Sequence, residues 1–165
     1  SDHRAYFVFD NQVHNNAVLA SAMTPHSNVF VTVNMQTRYT GQNSYVEFNF
    51  VQGGGGNQQA SKATAVDQSR GVVMNNGLIL GYGLLSDPPT FYAYDQQCPN
   101  CYSSTAIPRR SYPLTVQANG FATCANCHRK YNLSTGGNVV EGAQGNKLIR
   151  YRASTTGAFG VLAVN

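Results

Sequence analysis

All four cysteines of this chain fall into two Cys-x-x-Cys pairs, Cys98-Pro99-Asn100-Cys101 and Cys124-Ala125-Asn126-Cys127, separated by the twenty-two residues 102–123. Each such turn brings two thiolates to one side, where the backbone N–H groups of the turn soften their charge. Two turns facing each other place four sulfurs at the corners of a tetrahedron, and Zn²⁺ is the commonest occupant of that geometry. The spacing predicts a metal site at Cys98, Cys101, Cys124 and Cys127. Four thiolates leave no open position for water, and zinc has no redox chemistry, so the site reads as a structural clamp on two loops. Other chemistries use the same residues. An iron–sulfur cluster or a thiolate-bound iron would make the chain an electron carrier. Two disulfides would make it a stapled secreted domain, although disulfide frameworks usually spread their cysteines along the chain.

Two further readings of the pairs compete less well. Cys124-Ala125-Asn126-Cys127-His128 matches the C-x-x-C-H pattern of covalent haem attachment. Haem would leave the first pair idle, and the surroundings are strand-rich. Cys98-Pro99-Asn100-Cys101 could be a redox dithiol, but such pairs sit at a helix N-terminus, and residues 102–108 carry no helix pattern.

The rest of the sequence is β in character. Residues 5–10 are aromatic and β-branched, and residues 29–36 place Val29, Val31, Val33 and Met35 on one face at period two. Residues 45–51 alternate after Val46. Residues 11–16 read as a polar turn, residues 17–21 as a short strand, and residues 57–70 as a loop or one short helix. Gly53 to Gly56 lacks the Lys-Ser/Thr of a phosphate-binding loop and reads as a flexible loop. Residues 72–74, the turn Asn75-Asn76-Gly77 and residues 78–82 read as strand, turn, strand. Asp87-Pro88-Pro89 is a turn. Residues 91–94 form a strand leading into Cys98, and residues 114–123 a hairpin leading into Cys124. Residues 133–140 carry a Gly136-Gly137 turn, and residues 148–153 and 158–164 close the chain as strands. No segment sustains a helical period, no repeat is present, and no linker divides the 165 residues.

Charged residues make up only 11% of the chain, against about 25% for an average domain. Polar and aromatic residues carry the surface instead, which suits an all-β extracytoplasmic protein. The net charge of +4 is scattered, so no clustered basic face for nucleic acid is expected. No run is long enough to span a membrane. The sequence starts at Ser1 without an initiator Met or signal-peptide pattern, which leaves room for a removed export signal or lipid-anchor segment. Arg109, Arg110, Arg129 and Lys130 are candidate charges to offset a thiolate site. His3, His14 and His26 read as loop or surface histidines. Asp87, Asp95 and Glu141 are too scattered to nominate an acid/base pair.

The stretch after the second pair, His128-Arg129-Lys130-Tyr131-Asn132-Leu133-Ser134-Thr135-Gly136-Gly137, resembles a Rieske-type domain. In that family a Cys-x-x-His turn is followed by an aromatic, Asp or Asn, and Thr-Gly. Val140-Glu141-Gly142-Ala143 before Leu148-Ile149-Arg150-Tyr151 is similar to the family's ending. Phe91-Tyr92-Ala93-Tyr94-Asp95 before Cys98-Pro99 fits its lead-in. The resemblance covers residues 70–153. It implies an all-β, Rieske-like antiparallel sandwich with each turn on a hairpin, here with two rubredoxin- or ribbon-like knuckles.

The departures are chemical. Cys127 stands where the family's second-turn His would be. Asn100 takes the first-turn His position, with Cys101 one residue later. Both cluster histidines are absent, so the resemblance implies an all-cysteine site. Rieske-like envelope lipoproteins of Bacteroidetes share the Cys-Pro first turn and an N-terminal β extension. That similarity implies an exported single-domain protein of unassigned activity, with residues 1–70 as the extension and 71–165 as the metal-binding part; with a structural zinc site, a non-enzymatic binding or assembly role is the expected function. Its expected partner is a protein or a glycan, with no nucleic acid, and with membrane contact only through a lipid anchor.

Overall fold

A computed structural model describes residues 3–74 and 76–165. The chain runs β1 (Ala5–Asp10), α1 (Asn11–His14), α2 (Ala17–Ala22), β2 (Phe30–Thr40), β3 (Asn43–Gln52), β4 (Gln58–Lys62), α3 (Ala65–Ser69), β5 (Val73–Met74), β6 (Leu78–Tyr82) and β7 (Phe91–Asp95). It continues through β8 (Thr115–Val116), β9 (Phe121–Thr123), β10 (Lys130–Asn132), a 3₁₀ turn (Leu133–Thr135), β11 (Asn138–Glu141), β12 (Arg150–Tyr151), β13 (Ala153–Thr155) and β14 (Val161–Val164). The protein is all-β with three antiparallel sheets, in the orders β12-β7-β6-β2-β3-β4, β13-β14-β1-β5 and β11-β10-β9-β8. Among the described residues, no helix is long and apolar enough to cross a membrane.

At β6, β7 and the start of β2 the six-stranded sheet is buried on both faces. Successive side chains of a strand point to opposite sides, so its apolar runs split between two cores. Val31, Val33, Phe48, Phe50, Leu78, Leu80, Phe91 and Ala93 join one core, with Phe7, Phe9, Leu162 and Val164 from the sheet of β1 and β14. Phe30, Ile79, Tyr92 and Tyr94 join the other, with Ala122, Tyr131 and Leu133 from the region of β9 and β10. Cys98 and Cys124 belong to this second core. A strand buried on both faces reads as a continuous apolar run rather than an alternating one, which accounts for Leu78-Ile79-Leu80 and Phe91-Tyr92-Ala93-Tyr94.

Two local expectations are corrected. Residues 17–21 are not a strand but most of helix α2. Buried Asn16 caps it by accepting from the Leu19 amide, and Val18, Leu19, Ala20 and Ala22 are buried. Residues 11–16 are not a plain turn, because Asn11–His14 closes a helical turn capped by Asp10. The Asn11 side chain donates to the carbonyls of Asn16 and Ala158, which fastens this segment to the end of the chain. The two strands expected within residues 72–82 are present as β5 and β6, but they do not pair with each other: β5 pairs with β1, and β6 with β2 and β7. The turn assigned there includes Asn75, which lies outside the described residues.

The glycine run is a turn whose first two residues, Gly53 and Gly54, are packed, while Gly55 faces open space. The Gly53 and Gly54 amides donate to the carbonyls of Phe30 and Val116. A Cβ on Gly53 would stand 2.5 Å from Val116 Cγ1, and one on Gly54 2.7 Å from Ala118 Cβ. The close approach seats the turn after β3 against β8, at the base of the cysteine-bearing sheet.

Candidate metal centre

Each cysteine pair sits at the tip of a short antiparallel ladder. In the first, the Leu114 amide donates to the Gln96 carbonyl, Gln97 bridges to Pro113, and the Cys98 amide donates to Tyr112. In the second, β9 and β10 pair through Tyr131↔Ala122 and Lys130↔Thr123. Strand β8, which leaves the first ladder, pairs with β9, which enters the second. That pairing brings together two turns far apart in sequence. Within each turn the first cysteine's carbonyl is capped. Cys98 O accepts from Cys101 and Tyr102, and Cys124 O accepts from His128.

All four Sγ atoms lie within 4.8 Å of one another. Two pairs across the turns, Cys98–Cys127 and Cys101–Cys124, stand at 3.8 Å. All four residues are free cysteines. The structure therefore gathers the four sequence-predicted residues into one cluster that can hold a metal ion. Cys98 and Cys124 are buried, while Cys101 and Cys127 are half-buried.

The sulfurs have polar neighbours. Tyr131 Oη lies 3.1 Å from Cys98 Sγ, and Tyr131 in turn accepts from Asn100 Nδ2 at 2.9 Å. Asn126 Nδ2 donates to Cys101 Sγ at 3.3 Å, reaching across from the opposite turn. Asn100 also holds both the amide and the carbonyl of Asn146. Burial pushes the Cys98 thiol up to about 12 and also raises Cys101. Burial opposes ionisation of Cys127 too, but the backbone and guanidinium of Arg129, with help from Cys101 and Cys124, bring it down to about 6. One corner is thus poised as a thiolate while two others hold their protons. Binding a cation must displace those protons, so metal affinity falls as pH falls.

Of the four candidate offsetting charges, Arg129 favours the thiolate of Cys127, which in turn raises the guanidinium. Its Nε and Nη2 also reach the carbonyls of Ala143 and Gln144. Lys130 pairs with Glu141 and covers the Phe121 ring, and Arg109 folds back onto the Ser104 carbonyl. His128 is exposed, with φ at 64°. It occupies the left-handed position that closes the second turn, which costs a non-glycine residue about 1–2 kcal/mol. His128→Gly should therefore stabilise the protein by roughly 1 kcal/mol, read as a higher denaturation midpoint.

The first ladder is braced by buried Asp95. Its oxygens accept from the Gln97 amide, Asn76 Nδ2 and Tyr151 Oη, and His3 Nδ1 lies 3.3 Å away. The Gln97 side chain then bonds Ser111 and the Tyr112 amide. Asp95 is a structural acceptor beside the cysteine cluster rather than part of it. Burial raises the Tyr151 phenol, reinforced by Asp95, and raises the Tyr94 phenol, whose hydroxyl donates to the Leu133 carbonyl. The folded chain thus keeps phenol protons that the unfolded chain releases near pH ~10. This stabilisation is complete below that pH and is lost as pH rises above it. Urea midpoints should be lower at pH 11 than at pH 9.

Of the isolated histidines, His26 is exposed and reaches the Ser86 carbonyl. His14 is not a loose surface residue. It stacks on Phe9 and lies 2.7 Å from Asp67 Oδ2, joining α1 to the cap of α3. Sequence reasoning did not find Tyr131, Asn100 or Asn126 as neighbours of the site. The recurrence of Asn immediately before the second cysteine of both turns was the available signal.

Comparison with known protein families, characterised proteins and solved structures finds no match to this chain.

Proposed function

We propose that this is a non-enzymatic, zinc-stabilised protein of the cell envelope with a binding or assembly role, in which Cys98, Cys101, Cys124 and Cys127 hold one structural Zn²⁺. The observation that carries the reading is the size of the sulfur cluster. A tetrahedron with Zn–S bonds of ~2.3 Å has edges of about 3.8 Å, and both cross-turn pairs stand at 3.8 Å. A cluster with several irons would push sulfurs on different irons farther apart than those around one ion. The compact group therefore favours a single ion. Four thiolates complete its coordination, so the ion fastens the two ladders and activates no water. Arg129, Asn126 and Tyr131 temper the negative charge.

Under this reading the chain is a Rieske-like domain whose cluster site has become an all-cysteine clamp. Its low charge content accords with an exported, lipid-anchored protein, and its partner would be a protein or a glycan. One second reading has a specific observation behind it. A single iron in the same tetrahedron would make the chain an electron carrier, since thiolate sites of this shape serve iron as well as zinc. A visible spectrum separates the two. A colourless protein, unchanged by dithionite, is expected. Absorption that bleaches on reduction would replace the structural reading with electron transfer.

A further inference from the structure

Two corners of the cysteine cluster, Cys101 and Cys127, are half-buried, and Cys101 opens onto a cleft. It lines this cleft of about 280 Å³ together with Ser103, Ile107, Arg110 and Tyr112. Ile107 is 98% exposed at the rim, so the loop carrying it does not seal the cleft. The sulfur facing Cys101 across the turns is Cys124, at 3.8 Å. A disulfide needs ~2.0 Å between sulfurs, so the pair must close by about 1.8 Å, a movement that side-chain rotation can supply once oxidation has taken Cys101 out of the ion's coordination. The same holds for Cys98 and Cys127, at the same separation.

We propose that Cys101 is an oxidant-sensitive modification site. A two-electron oxidant of the peroxide class converts the cluster first to a Cys101–Cys124 disulfide and then to a second one between Cys98 and Cys127, with expulsion of the ion. The proposal rests on the zinc reading above. In the first step Cys101, which the bound Zn²⁺ of the zinc reading would hold as a thiolate, attacks the peroxide through its sulfur. An S–O bond forms, the O–O bond breaks, and hydroxide leaves into a cleft where Arg110 supplies positive charge. The Cys124 thiolate then attacks the sulfenic sulfur. An S–S bond forms, the S–O bond breaks, and a second hydroxide leaves. Two sulfur electrons have passed to one peroxide. A second peroxide repeats the sequence at Cys127 and Cys98, and Zn²⁺ departs because its ligands are consumed. Cross-turn bonds are favoured over bonds within a turn because they keep the two ladders fastened as the ion did. They also close the longer loop, which constrains the unfolded chain more.

Zinc-loaded protein, its stoichiometry confirmed by elemental analysis, is titrated with hydrogen peroxide. Zinc release is followed with a chromogenic chelator, and disulfides are mapped by peptide mass spectrometry. One equivalent should give mainly Cys101–Cys124. Two should give both cross-turn bonds and full release. Asn126→Ala, which removes the hydrogen bond that holds down the Cys101 sulfur, should speed release several-fold. Zinc that stays bound, disulfides within a turn, or an Asn126→Ala rate no faster than the parent would overturn this proposal and leave the zinc reading standing. Failure to take up zinc at the outset would overturn the zinc reading itself, and the proposal with it.

Discussion

Replacing Cys101 or Cys127 with Ser should lower the melting temperature by roughly 10–20 °C. A structural metal does not find its ligands gathered in the unfolded chain, so its binding free energy becomes folding free energy. Here the ion would fasten two ladders whose inward residues, Cys98, Cys124, Tyr131 and Ala122, belong to the second core. Losing one thiolate loosens the clamp and leaves Cys98 and Cys124 buried without the partner that offsets their charge. The loss should be reproduced in the parent by a strong chelator and reversed by added zinc. Calorimetry with and without chelator checks both arms. Variants that melt like the parent would mean the cluster contributes nothing to folding.

Phe7→Ala should destabilise the protein by about 3–5 kcal/mol while leaving zinc stoichiometry unchanged under native conditions. Phe7 is fully buried, with ring centroids 5.5, 5.0 and 6.5 Å from those of Phe9, Phe48 and Phe50. Removing it opens a cavity in a core that cannot collapse around it, because the neighbouring rings are fixed by two sheets. The six-stranded sheet stands between this core and the one that holds the cysteines. The cost should therefore appear in denaturant midpoints and not in metal content. Loss of zinc from the folded variant would show that the two cores act as one.

Local chemistry was legible in the sequence and long-range pairing was not. The four cysteines were legible because a Cys-x-x-Cys turn is complete within four residues. Strands β1 and β7 were legible because aromatic and β-branched runs have few other uses. Helix α2 was not, because six residues are too few to show a helical period. Its capping residue, Asn16, is held by Ser61 and Gln59 from far along the chain. Residues 72–82 look like a hairpin at short range, but register with β1 and β2 is set by cores that form only when the sheets meet. The contacts of Tyr131 with Cys98 and of Asn126 with Cys101 likewise depend on the two ladders facing each other. Spacing alone could place the four ligands together but could not show which groups would temper their charge.

The most direct test of the central claim is the metal content of protein purified without a metal-affinity step, measured by elemental analysis on the parent and on Cys101→Ser. The account predicts one zinc per parent chain and substantially less in the variant. Iron in place of zinc, or no metal in the parent, would contradict it.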